Sequence, residues 1–237
     1  ITDMIKKTYE YLTGRYHPDL VPIPNSDMKL GHHEMMPELE NITKALASEG
    51  NQLFIFSAYR NHLDQLRIWN EKATGKRPLL DDKGNVLDVN SLSDEDIVSS
   101  ICRWSAIPGA SRHHWGTDLD VYCIKSLPTS NYQVQLTPEE VEDNGIFGAL
   151  HQNIDKLLEG DIKFYRPYQE DTGGVAPERW HISFYPIADK LLEKYTIEVF
   201  EKNIQETDIL LKEVILHDLE GFYKKYILNV SRSPEDG

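Results

Sequence analysis

Only four short runs of this chain have strand character, and helical periodicity separates most of them. They are "QLFIFSAYR" (52–60), "TDLDVYCI" (117–124), "FYRPY" (164–168) and "RWHISFYP" (179–186). The second alternates polar and apolar residues as a half-buried strand does, and the last two flank a Gly-Gly turn. Strands this few, interrupted by helices of irregular length, predict an α+β fold rather than a doubly wound α/β sheet. No glycine-rich loop joins a strand to a helix, so a phosphate cradle and a nucleotide-dependent activity are not expected.

The helical pattern is clearest in "HEMMPELENITKALAS" (33–48), where Met36, Leu39, Ile42 and Leu46 recur at helical spacing and Gly50 supplies a stop. Further helices are predicted over 1–16, in "LDQLRIWNEKATG" (63–75) and in "SDEDIVSSICRWSA", where Ser93 precedes Asp96 by three as in a capping box. Another is read over 137–159, with Thr137 as N-cap and Pro138 in the first turn. From Pro186 onward the sequence is almost continuously helical in period. Residues 75–93 are rich in turn formers, with a hairpin expected around "DDKGN". Trp69 and Trp104 are read as core, and His32 and His33 as cap or surface residues.

Composition narrows the function. With 25 Lys+Arg against 39 Asp+Glu, the net charge of -14 argues against nucleic-acid binding. No apolar run is long enough to span a membrane, and the first residues are amphipathic rather than signal-like. Cys102 and Cys123 are too few for a disulfide scaffold. They are read as buried free thiols, or as one disulfide if the compartment is oxidising.

The chemistry concentrates in three places. "SRHHWGTDLD" (111–120) sets His113 before a strand and Asp120 within it, with Gly116 allowing the chain to turn between them. These are two of the three protein ligands a catalytic zinc requires. Taken alone, the stretch is a weak signal and reads more readily as a crowded polar turn. "ERWHISFYP" (178–186) offers what is missing: His181 as a third ligand and Glu178 as a carboxylate to take a proton from water. Arg60 ends an apolar run, so it either forms an ion pair within the fold or faces a cleft and meets an anion such as a free carboxylate.

In chain order these pieces read S-x-Y-R with Gln65 five positions on, then S-x-H-x-x-G-x-x-x-D, then E-x-W-H. The series resembles the D-alanyl-D-alanine carboxypeptidase and dipeptidase family of zinc peptidases, which shares its zinc site with the hedgehog signalling domain. The resemblance covers roughly residues 30–195. It implies an α+β fold whose small antiparallel sheet carries the zinc site, flanked by helices. On this reading the peptidase domain spans 1–195 and a helical extension spans 196–237. It implies that His113, Asp120 and His181 bind Zn²⁺ and that Glu178 is the general base. Arg60 would hold the substrate's terminal carboxylate or steady the oxyanion, Ser57, Gln65 and Ser111 would line the same pocket, and Trp180 would shield the metal from water. Asp118 departs from the small residue usual at its position; it is read as a partner of a ligand histidine, with a rival ligand as the alternative. His114 is read as a non-ligand.

The expected activity is removal of the terminal D-alanine from peptidoglycan stem peptides, in the periplasm or cell envelope. The alternatives are an L,D-carboxypeptidase or endopeptidase using the same zinc site, and a zinc-binding module without catalysis. Loops 75–93 and 165–177 would decide among the bonds cut, and oligomeric state is left open.

Overall fold

The computed structural model describes residues 2–236. The chain opens with helix α1 (Thr2–Leu12), the hairpin β1 (Leu20–Pro22) and β2 (Leu30–His32), and helix α2 (Met36–Ser48). Strand β3 (Leu53–Ser57), helix α3 (His62–Ala73), the hairpin β4 (Leu79–Leu80) and β5 (Val86–Leu87), and helix α4 (Asp94–Trp104) follow. Next come β6 (Asp118–Cys123), α5 (Pro138–Val141), α6 (Gly148–Leu158), β7 (Phe164–Tyr165) and β8 (His181–Phe184). The chain closes with α7 (Tyr185–Lys194), α8 (Ile197–Glu206), α9 (Lys212–His217) and α10 (Leu219–Phe222).

The four expected strands form one antiparallel sheet in the order β3-β6-β8-β7, so the fold is α+β. Alternation along β6 divides the two faces. Leu119, Val121 and Cys123 join Ile55, Ile182 and Phe184 in a core that α2 and α6 cover through Leu39, Ile42, Leu46, Leu150 and Ile154. Asp118 and Asp120 point to the opposite face, as do His181 and Ser183. That face is buried as well, so β6 is enclosed on both sides rather than half-buried. Cys102 and Cys123 are both buried and free, in agreement with the thiol reading.

Two helical expectations need correction. Residues 137–159 are not one helix: α5 stops at Val141 and α6 begins at Gly148. Between them, Gly145 packs so tightly that a Cβ would sit 2.3 Å from the Glu139 carbonyl oxygen. The helical stretch after Pro186 is also broken repeatedly. Thr196 caps α8 by accepting from the Val199 N–H, Leu211 adopts φ 63° before α9, and Asp218 caps α10 through the Gly221 N–H. The expected hairpin at 81–85 is present as the β4–β5 turn.

A second core lies beside the sheet. Trp69 of α3 and Ile97, Val98 and Ile101 of α4 pack there with Phe200 and Ile204 of α8 and Ile215 of α9. Trp104, by contrast, is only half-buried, because its ring stands on a cleft wall while its Nε1 donates to the Asp81 carbonyl.

Candidate active site

Sheet register brings three distant segments to one line. Asp120 of β6 lies opposite Ser57 of β3 on one side and His181 of β8 on the other. A bulge between Ile55 and Ser57 produces this alignment. Without the extra residue, Phe56 would face Asp120 and Ser57 would fall on the core side.

His113 arrives from the loop before β6 on a single 3-10 turn, Arg112–Trp115. The Ser111 hydroxyl caps that turn by accepting from the His113 N–H at 3.2 Å. Gly116 ends it at φ 73°, a left-handed conformation favouring glycine, and the chain then enters β6. His113 Nδ1 sits 2.8 Å from the Ala58 carbonyl, so it carries the proton and leaves the Nε2 lone pair free. Nε2 is 3.4 Å from Asp120 Oδ2.

His181 is oriented from the other side. The 178–181 turn closes with the His181 N–H donating to the Glu178 carbonyl, which aims both side chains at one point. His181 Nε2 lies 2.6 Å from Asp118 Oδ2, while Nδ1 faces Glu178 Oε2 at 3.1 Å and Asp120 Oδ1 at 3.6 Å. Ligand atoms of His113, Asp120 and His181 all lie within 4.8 Å of one another, all on buried residues. Asp120 Oδ1 is buried without a hydrogen-bond partner among the described residues, a costly state that a cation would relieve. Two imidazoles and a carboxylate are a donor set suited to zinc at an open, catalytic position.

Asp118 is a partner of His181, not a member of this converging group. It is fully buried and also receives bonds from Arg112 Nε at 2.7 Å and the Ser183 hydroxyl at 2.7 Å. Burial alone would raise its pKa, but the Arg112 guanidinium and the bonds from His181 and Ser183 hold it well below the usual carboxylate range. His114 is not available to a metal. Its Nε2 accepts from the Gly109 N–H and its Nδ1 donates to the Arg60 carbonyl. Burial keeps that ring neutral, with its pKa lowered to about 3. His32 caps a short turn by accepting from the Glu34 N–H, and His33 is exposed.

Burial pushes the Glu178 carboxyl above its ordinary value, with the Asp120 carboxylate adding to the shift and His181 opposing it. Glu178, His113, Asp120 and His181 open into a cleft of about 310 Å³ whose walls include Arg60, Ser111 and Trp180. Ser57 and Gln65 do not line that cleft as expected. They lie behind Arg60, where Ser57 Oγ accepts from Nη2 at 2.8 Å and Gln65 Oε1 accepts from Nη1 at 2.9 Å. The two loops singled out in the sequence do reach the cleft, through Arg77 and Leu80 and through Tyr168 and Val175. Lys72 and Arg77 are cleft residues that the motifs did not reveal.

The sequence model of the VanY D-alanyl-D-alanine carboxypeptidase family matches residues 29–187. The chain belongs to that family. As a member it is a zinc metallopeptidase. An uncharacterised protein of Haemophilus influenzae is 31% identical over 124 residues, covering 52% of this chain and 93% of that protein. A second uncharacterised protein of the same organism is 33% identical over 105 residues, covering 44% and 72%. The structure of VanYB in complex with D-alanine-D-alanine is 18% identical and covers 81% of this chain and 92% of that one. Its TM-score of 0.50 supports the common fold.

Proposed function

We propose that this chain is a zinc D,D-carboxypeptidase that removes the terminal D-alanine from peptidoglycan stem peptides, in the periplasm or cell envelope. The observation that carries this reading is the convergence of three ligand atoms, one buried carboxylate with a raised pKa and one arginine on a single cleft. His113 Nε2, an Asp120 oxygen and His181 Nδ1 would hold the zinc. When bound, it supplies positive charge that acidifies water and polarises the scissile carbonyl.

Glu178 takes the proton from the attacking water and passes it to the leaving amine, a double role that its place beside His181 on the cleft wall allows. The new C–O bond leaves a shortened peptide carboxylate, and the broken C–N bond releases D-alanine as the amine. Ser57 and Gln65 fix the Arg60 guanidinium by one donor on each Nη. That leaves three of its five donors for the free carboxylate of the substrate. Requiring that carboxylate makes the enzyme an exopeptidase. Trp180, on the cleft wall and in the core, limits the access of bulk water.

The test pairs metal analysis with D-alanine release. One zinc per chain is expected, with D-alanine released from a pentapeptide ending in D-Ala-D-Ala. Glu178→Gln should keep the zinc and lose activity by about 10²- to 10⁴-fold, the usual worth of a general base. Release only from a tetrapeptide with a single terminal D-alanine would replace this reading with an L,D-carboxypeptidase. Zinc without release from either peptide would leave a binding module.

A further inference from the structure

His114 follows a zinc ligand in the chain yet commits both ring nitrogens to the backbone. Its Nδ1 donates to the Arg60 carbonyl at 2.7 Å and its Nε2 accepts from the Gly109 N–H at 3.1 Å. The ring is fully buried and does not line the cleft. An apolar side chain there would avoid the cost of desolvating two nitrogens. The fold makes room for the ring: Gly14 packs on it at φ 78°, and a Cβ there would lie 2.4 Å from Nδ1. His62 stacks beside it with 6.3 Å between centroids.

The bond to Arg60 completes a two-point clamp. The Arg60 N–H donates to the His113 carbonyl at 3.0 Å, so consecutive residues hold both polar groups of the Arg60 backbone. At the far end of the side chain, Ser57 and Gln65 hold the guanidinium. Arg60 is therefore fixed at both ends relative to the turn that supplies a zinc ligand. The Gly109 turn behind the ring is itself held by the Tyr195 hydroxyl and by Asn203 of α8, so helices remote from the cleft support the same spacing.

On the basis of the D,D-carboxypeptidase reading, we infer that His114 is a positioning residue that acts through the Arg60 carbonyl. It fixes the spacing between the carboxylate-binding guanidinium and the zinc ligands. Cleavage is thereby restricted to a C-terminal residue whose carboxylate sits on the α-carbon, one residue from the scissile carbonyl.

The test uses the zinc-loaded enzyme and N-acetylated peptides L-Lys-D-Ala-X. With X as D-alanine the peptide reports the activity itself. With X as glycine or β-alanine the pair differs only by one methylene, which moves the carboxylate by one C–C bond of about 1.5 Å. Wild-type kcat/KM should favour glycine over β-alanine by about ten- to a hundredfold, because a misplacement of about 1 Å costs up to about 10²-fold.

Two variants each retain one of the two bonds. His114→Asn brings an amide N–H to the place of Nδ1 and keeps the bond to Arg60. His114→Gln brings an amide oxygen to the place of Nε2 and keeps the bond to Gly109. Both should melt cooperatively and bind one zinc per chain. His114→Asn should retain most of the preference, and His114→Gln should bring it close to one. A wild-type ratio near one overturns the inference, as does a preference that survives in His114→Gln. An equal loss in both variants also overturns it, since the ring would then serve the fold rather than Arg60. Loss of zinc in either variant would assign the ring to His113 instead. Each of these outcomes, with D-alanine still released from the first peptide, leaves the D,D reading standing alone. No release from that peptide by the wild type removes both.

Discussion

Asp118 does for His181 what the Ala58 carbonyl does for His113: each occupies one ring nitrogen and turns the other toward the site. Partners of this kind typically contribute 10- to 100-fold to metal affinity. Asp118→Asn is therefore expected to weaken zinc binding by about that factor, measured by competition with a chromophoric chelator. Unchanged affinity would show that packing alone orients His181. The same carboxylate controls a proton. Burial favours the neutral ring, but the bonds to Asp118 and Glu178 overcome it and raise His181 to about 10 in the metal-free protein.

A raised folded-state pKa stabilises below the unfolded value of about 6.5, and that contribution is lost as pH rises through about 10. The chelated protein should accordingly lose denaturant resistance between these limits. Zinc must displace the same proton, so its apparent affinity should fall by about tenfold for each pH unit lowered within that window. Competition titrations at pH 7 and 9 check this, and a flat profile would show that the metal-free His181 ring is already neutral across that window. The triad and Glu178 were legible because each lies in a compact motif. Asp118 was ambiguous because strand alternation fixes a face but not which neighbour a carboxylate meets. Lys72 was illegible because nothing local in "RIWNEKATG" reports how α3 is turned against the sheet.

At the level of elements, the site depends on two backbone devices. The β3 bulge places Ser57, and so the Arg60 guanidinium it holds, level with Asp120. The sequence shows the apolar run of β3 but no glycine or other signal for the bulge. The second device is the Pro108–Gly109 turn ahead of Ser111. Its carbonyls accept from Asn203 Nδ2 at 2.7 Å and the Tyr195 hydroxyl at 2.6 Å, while the Gly109 N–H donates to His114. Gly109 has φ 85°, and a Cβ there would lie 1.8 Å from Asn203 Oδ1. Gly109→Ala combines a left-handed conformation with overpacking and is expected to cost roughly 2–4 kcal/mol. Urea unfolding checks the value. A loss below about 1 kcal/mol would show that α8 yields without strain. The breaks in the C-terminal helices were missed for a related reason: helical periodicity continues through caps such as Thr196 and Asp218, which redirect the axis without changing the apolar spacing.

Across the whole molecule the sheet core and the second core meet along α7, which follows β8 directly. The second core draws on both sides of the boundary expected at residue 195. Phe200, Ile204, Ile209, Ile215 and Ile227 pack against Trp69, Ile97, Val98 and Ile101. Five such side chains at about 2 kcal/mol each amount to roughly 10 kcal/mol, comparable to the whole stability of an ordinary domain. Truncation after Tyr195 should therefore expose Trp69 and the apolar face of α4 and leave a chain that unfolds without a cooperative transition. A single replacement gives a graded version of the same test. Phe200→Ala removes a fully buried ring and should cost about 3–5 kcal/mol, lowering Tm by roughly 6–20 °C. Because Phe200 packs in the second core and not in the core of the sheet that carries the zinc site, the folded variant should still bind one zinc. If calorimetry instead finds an unchanged main transition after truncation, residues 196–237 form a separate unit and the second core does not hold the peptidase domain together.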